Sequence, residues 1–210
     1  MSIRSYFMAK FYDASMKKME EACLSTWRSD LLSEVHGDVL EVGSGTGVNL
    51  PYYPKPINSL VLTEPDPHML SLLRSHINEE GYENKVRVEG FAADALEFPD
   101  NSFDTVVSTL VLCSVNSPET ALGEIKRVLR PGGKLYFIEH VIANETPYLI
   151  KWQKIFQPFW VAMCGNCHLT RDTEMHITHA GFEFHNIERL KSSGGPPIVS
   201  PTIKGIAISV

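Results

Sequence analysis

Three glycines at alternate positions, Gly43, Gly45 and Gly47, follow an apolar-rich run at 39–42. Glycine tolerates positive φ and has no Cβ to hold a ligand off, so a strand ending in such a loop can turn backbone N–H groups onto a bound molecule. Glu41 stands just before the loop, and Glu64 follows 17 positions after Gly47, at the expected carboxyl end of the next strand. An acid there can accept hydrogen bonds from both hydroxyls of a ribose. Asp94 comes after the third expected strand, between the small residues Ala93 and Ala95. Its carboxylate can accept from an adenine amino group, and Ala95 leaves room for the ring. The plainer readings are a surface glutamate near a turn for Glu64 and a turn cap for Asp94. Together the set points to an adenosine-bearing ligand. The dinucleotide fingerprint GxGxxG needs glycine at 48, where Val48 stands, so the GxGxG spacing favours S-adenosylmethionine over a nicotinamide dinucleotide.

A second group of residues falls at the expected ends of strands four and five, Leu110 to Cys113 and Glu139-His140. That edge of a doubly wound sheet is where ligands bind. Histidine is the residue type that ionises near neutrality, so His140 is either a general base or a partner of a nearby loop. An aromatic stretch follows, with Trp152, Phe156 and Trp160 in an expected helix over 146–163 that Pro158 should kink or split. It can wall an acceptor pocket together with Cys113, Glu139 and His140, or simply pack on the core. Cys164 and Cys167 form a CxxC without the second pair that a zinc site of this kind needs, so no metal is expected.

The elements that must place these groups can be read from periodicity. Apolar residues recur at helical spacing over about 5–35 (Phe7, Met8, Phe11, Tyr12, Met16, Met19, Cys23, Trp27, Leu31), which predicts one or two helices. They serve as core packing, a lid over the pocket or an interfacial membrane helix, and their mixed charges weaken the last. Strands are expected at 38–42, 59–64, 85–89, 103–110, 134–139, 184–190 and 203–210. Helices are expected from Pro67 to Gly81 with Asp66 as cap, from Ser117-Pro118 to about 129, and from Thr170 to about 180. The connector at 192–197 is too short for a crossover helix, so the last two strands should pair antiparallel. The fold class is therefore α/β: a Rossmann-like, seven-stranded, mostly parallel sheet with an antiparallel last strand and helices on both faces. One domain of 210 residues is expected, with residues 1–35 as a helical lid and 36–210 as the core.

A net charge of −6 argues against broad contact with nucleic-acid phosphates. The chain also lacks the Asn-Pro-Pro-Tyr type of tetrapeptide associated with methylating amino groups of bases. No apolar run is long enough to be a membrane span or a secretory signal, which leaves peripheral membrane contact as the alternative to none. Four cysteines are too sparse for a disulfide scaffold, and a cytoplasmic location is expected.

The motifs at 41–47, Glu64, Asp94 and 129–133 resemble the ordered motifs of class I S-adenosylmethionine-dependent methyltransferases. The segments 109–115, 127–133 and 139–141, with Trp152-Gln153, Phe156, Pro158, Trp160, Cys167, Leu169-Thr170-Arg171, Pro201, Ile203 and Gly205, are similar to the animal thiol S-methyltransferases of the methyltransferase-like group. The resemblance implies methyl transfer to a small, rather apolar acceptor such as a thiol. Quinone precursors and phospholipid head groups are the acceptors of related enzymes. It also implies a hydrophobic N-terminal membrane segment, which residues 1–35 do not show. The departing group is a neutral thioether, so alignment of the nucleophile at ~3–3.5 Å from the methyl carbon is the main requirement. A thiol of pKa about 8.5 is only a few per cent thiolate at neutral pH, where a base such as His140 would help. The competing expectations are a noncatalytic S-adenosylmethionine-binding module and a nicotinamide dehydrogenase, the latter at odds with Val48.

Overall fold

The computed structural model describes residues 3–79 and 86–210, with side chains from residue 10 onward. The side chains of Phe7 and Met8, the expected helix end at Gly81 and the strand start at Lys85 lie outside what it describes. A long helical run opens the chain: α1 (Ile3–Met19), one π-helical turn (Glu20–Leu24) and α2 (Ser25–Leu32). The sheet strands are β1 (Asp38–Val42), β2 (Ser59–Thr63), β3 (Val86–Glu89), β4 (Phe103–Thr109), β5 (Leu129–His140), β6 (Phe182–Lys191) and β7 (Pro201–Ser209). Between them lie α3 (Pro67–Glu79), α4 (Pro118–Val128), α5 (Pro147–Met163) and α6 (Thr173–His179).

The strand order is β3-β2-β1-β4-β5-β7-β6. All pairs are parallel except those of β7, which runs antiparallel to both β5 and β6. The order reverses between β1 and β4, and the loops after those strands diverge to opposite faces, opening a crevice at the carboxyl edge. Alternation along each strand feeds a core on either face. On β5, Leu135 and Phe137 join Leu122, Ile125 and Ile177 on one side, while Tyr136 and Ile138 join Leu31, Leu32 and Leu73 on the other. Val106 and Val107 of β4 divide in the same way.

Local signals explain most boundaries. Asp66 Oδ1 accepts from the N–H groups of His68 and Met69 to start α3, and Ser117 Oγ accepts from Thr120 N to start α4 behind Pro118 at its first turn. Three expectations are corrected. The strand expected at 134–139 starts earlier: Arg130-Pro131-Gly132-Gly133 is absorbed into β5 as an irregular extension, with Leu129 opposite Phe103 and a register shift before Thr105. The cap of α6 is Asp172, whose side chain accepts from Met175 N, rather than Thr170. Pro158 does not split α5, which continues through it. Most aromatic side chains of α5 are not core packing: Gln153 is its one buried residue, and Trp152, Phe156 and Phe159 are 49%, 41% and 63% exposed, while Trp160 is half-buried. Among the described residues no helix is long and apolar enough to cross a membrane.

Gly205 sits where β7 is squeezed between its neighbours. A Cβ there would lie 2.4 Å from the Asn186 carbonyl oxygen and 2.9 Å from the Phe137 ring. Gly205→Ala is therefore expected to destabilise the protein by about 1–3 kcal/mol, as overpacking does. Urea unfolding should show a lower midpoint with an unchanged slope.

Candidate active site

The loop after β1 turns through three positive-φ glycines, with φ of 60°, 58° and 90° at Gly43, Gly45 and Gly47. A Cβ at Gly43 would strike Val111 at 2.7 Å, whereas one at Gly45 would meet nothing within 4 Å. Gly43 is thus glycine for packing, and Gly45 faces open space, as a ligand cradle requires. Ser44 N donates to Thr63 O, tying the loop to the end of β2. Glu64 follows at once. Its Oε2 accepts from Gly45 N at 2.9 Å and its Oε1 from Asp66 N at 2.8 Å. It is buried, and desolvation lifts its carboxyl above the ordinary range against those two N–H donors. Each oxygen retains a lone pair for a further donor. Asp94 is half-buried at the end of the β3 loop and makes no hydrogen bond to a described residue, and Ala95 beside it is exposed. An open glycine turn, a buried carboxylate with spare acceptor capacity and a carboxylate without a hydrogen bond among the described residues suit the donor groups of an adenosine.

Glu41 does not join that row. Its oxygens are taken by Asn49 Nδ2 at 3.0 Å and Tyr53 Oη at 2.6 Å, and it is 2% exposed. Behind it lies Arg28 of α2, which is also buried. Arg28 donates to Asn49 Oδ1 and Thr109 Oγ1, each at 2.8 Å, and to the Glu20 carboxylate. Sequence reasoning missed this residue. The available signal was a charge on the apolar stripe of Leu24, Leu31 and Leu32. The network fastens the N-terminal helices to the crevice. So does Asp13 of α1, which accepts from Thr46 Oγ1 at 2.8 Å. A small cavity of about 140 Å³ remains under α1, lined by Tyr12, Asp13, Met16, Glu20, Thr46, Val48 and His76.

The end of β4 is held by an unusual turn. Leu110 has φ of +60°, a conformation that side chains rarely adopt. It is over-determined from both sides. Leu110 N donates to Ile138 O, and the buried Glu139 carboxylate accepts from Ser108 Oγ and from the N–H groups of Val111, Leu112 and Cys113. Glu139 is therefore an organiser of the loop and not a wall of an acceptor pocket. Burial pushes its carboxyl up, and these donors oppose that rise.

The loop at 164–171 docks on the same segment. Asn166 Nδ2 donates to Ser114 O, His168 N to Cys113 O, and Arg171 Nη1 to Leu112 O and Val115 O. This brings Cys167 to Cys113 and His140, with the ligand-type atoms of all three within 4.8 Å of one another. The partner of Cys167 is thus not Cys164. Cys167 Sγ lies 3.6 and 3.7 Å from the two ring nitrogens of His140 and accepts from Trp160 Nε1 at 3.4 Å. The adjacent Cys113 thiol, with His140 and Trp160, holds the Cys167 thiol well below its usual range, while Cys167 and burial push that of Cys113 up. Tyr12 of α1 is close enough to interact electrostatically with Arg28 and with both cysteines, and burial raises its phenol to about 12.

The structure does not unite the six expected pocket residues. Cys113, His140 and Trp160 meet around Cys167. Trp152 and Phe156 stack on each other at 5.9 Å and line a separate cavity of about 760 Å³ between α5 and the β6–β7 edge, which none of Cys113, His140 and Cys167 touches. On a helix, 152 and 156 share one face while 160 falls a turn further on, where the chain bends into the docked loop.

Glu41 makes a pH test available. Burial raises its carboxyl from 4.5 to about 7, against the pull of Tyr53, Asn49 and Arg28. Between those values the folded chain keeps a proton that the unfolded chain has released, so stability falls as pH rises through this window and levels off above it. The slope is about 1.4 kcal/mol per pH unit for one proton. Glu41→Gln is expected to flatten it, as read from urea midpoints between pH 4.5 and pH 8.

A family model described as a methyltransferase domain matches residues 40–137, from β1 to within β5. Human thiol S-methyltransferase TMT1B is 36% identical over 97% of this chain and 84% of its own length. Human thiol S-methyltransferase TMT1A is 33% identical over the same shares. Among solved structures, an S-adenosylmethionine-dependent methyltransferase from Thermotoga maritima superposes with a TM-score of 0.71 over the whole of both chains at 22% identity, a likeness of fold. With the crevice geometry and relatives matched along nearly its full length, the chain belongs to the class I S-adenosylmethionine-dependent methyltransferases, in the group of the thiol S-methyltransferases.

Proposed function

We propose that the protein methylates a small thiol, using the crevice between the glycine loop and the Cys113–His140–Cys167 cluster. The observation that carries this reading is spatial. The cofactor-type groups Gly45, Glu64 and Asp94 and the sulfur–imidazole cluster occupy the same carboxyl edge of the sheet, on either side of the strand-order reversal. The likeness to thiol S-methyltransferases supports it from sequence.

S-adenosylmethionine would supply an electrophilic methyl group and depart as a neutral thioether. The chain's own residues do the rest. Glu64 accepts from the ribose hydroxyls while bracing Gly45, and Asp94 accepts from the adenine edge. Leu110, half-buried against the core on the side of α2, would border the cofactor beside Val111. The lid formed by α1 and α2, held down by Arg28 and Asp13, excludes water. His140 stands beside the acceptor sulfur. The acceptor is brought to the cofactor by confinement, which is the larger part of what such a displacement needs.

A radiolabelled methyl-transfer screen over small thiols, quinols, amines and lipids tests the assignment. Label on thiols is expected, and label on a lipid amine alone would sink it. Asp94→Ala is expected to weaken cofactor binding roughly tenfold, the value of one hydrogen bond to a charged group, in calorimetric titration. His140→Ala is expected to lower thiol turnover at pH 7, and an unchanged rate at both pH 7 and pH 9 would remove His140 from the reaction.

A further inference from the structure

We infer that Cys113, His140 and Cys167 form a binding site for one divalent cation of the zinc type, with a coordination position left open for the thiolate of the acceptor. The second half of this inference rests on the thiol reading above; the first does not. The three donors come from three segments, the turn after β4, the end of β5 and the loop after α5, and no sequence spacing joins them. A tetrahedral zinc site has Zn–S of about 2.3 Å and Zn–N of about 2.0–2.1 Å, which places sulfur and nitrogen ligands ~3.6 Å apart. The Cys167 sulfur lies 3.6 and 3.7 Å from the His140 nitrogens, and all three ligand atoms fall within 4.8 Å of one another.

The surroundings are built to hold those atoms. Glu139 fixes Cys113 through its N–H, and Asn166, His168 and Arg171 pin the Cys167 loop to the same turn. Trp160 Nε1 donates to the Cys167 sulfur, the kind of outer partner that orients a metal-bound thiolate. His140 is 4% exposed. Its two nitrogens are almost equally far from the sulfur, so the ring makes no hydrogen bond directed along one of them. A rotation of the ring is needed to aim a nitrogen at the ion. Charge is compatible with occupancy: two thiolates and a neutral imidazole balance a dication, and binding releases the thiol protons that the metal-free cluster retains. Three protein ligands with one open position is the pattern of catalytic zinc, while structural zinc takes four.

An incoming thiol would displace a metal-bound water and lose its proton to solvent. The thiolate sulfur then forms its bond to the methyl carbon as the sulfonium–methyl bond breaks, giving the methyl thioether and S-adenosylhomocysteine. No oxidant or reductant is required.

The test uses the full chain purified in reductant, stripped with chelator and titrated with Co²⁺ and Zn²⁺. Expected are one metal per chain by elemental analysis and a thiolate-to-cobalt charge-transfer band with tetrahedral d–d absorption. Cys113→Ser and Cys167→Ser should each weaken binding by at least the roughly 10–100-fold that loss of an outer partner costs. Cys164→Ser should leave it unchanged, and S-adenosylmethionine calorimetry should show that all three variants are folded. Adding a small thiol should shift the charge-transfer band. No cobalt band in protein whose thiols titrate as free, a Cys113–Cys167 disulfide surviving reductant, or a band lost equally in Cys164→Ser would each overturn the site. A cobalt site that no thiol perturbs would keep the metal and overturn its open position. Thiol methylation persisting in chelator-stripped protein would overturn the metal's part in turnover and leave the thiol reading standing.

Discussion

The structure depends on one buried cation. Arg28 carries a guanidinium into a space bounded by α2, the turn after the glycine loop and the end of β4. A charge there must be paired, and leaving one partner of a buried pair alone costs about 3–5 kcal/mol. Glu20 supplies the counter-charge from the π-helical turn, and Asn49 and Thr109 supply acceptors from the sheet side. Lifting the helices would carry Arg28 and Glu20 away together and leave the buried acceptors of Asn49 and Thr109 without that donor, so these two bonds tie the lid to the sheet. Asn49 then passes the constraint on to Glu41, and Glu41 to Tyr53, so the segment behind the glycine loop is braced from the same point.

A second constraint sits on the other side of the strand-order reversal. Glu139 gathers Ser108 and three successive backbone N–H groups onto one carboxylate. The positive φ of Leu110 is sustained by that gathering. The outcome is a turn that presents Cys113 inward and offers the carbonyls of Leu112, Cys113, Ser114 and Val115 to the loop carrying Cys167. Two acids beside the crevice, Glu41 and Glu139, thus hold backbone and neighbours in place, while Glu64 and Asp94 keep acceptor capacity for a ligand.

Much of the frame was legible in the chain because its physics is local. Glycines at every second position after an apolar strand, Asp66 and Ser117 ahead of their helices, and a connector too short for a crossover all act within a few residues. Glu64 and Asp94 could be placed because strand ends follow from alternation and turn residues. Less was legible where a boundary hung on competing local signals. The strand was expected to begin only after Gly133, yet the pairing of β4 and β5 drew residues 129–133 into it, and Asp172 outcompeted Thr170 as a cap.

By itself, then, the sequence determined the alternating core, the parallel order closed by an antiparallel strand, and a glycine loop with carboxylates following β2 and β3. The tertiary structure alone decided which side chains share a site. Cys167 reads in the sequence as half of a CxxC, but packing turns it to Cys113 and His140, which are 54 and 27 residues away along the chain. Trp152 and Phe156 read as neighbours of His140, but the path of α5 carries them to another cavity. Periodicity reports which face a residue takes on its own element. It does not report which faces of distant elements are brought together, because that is set by the packing of the whole sheet and its helices.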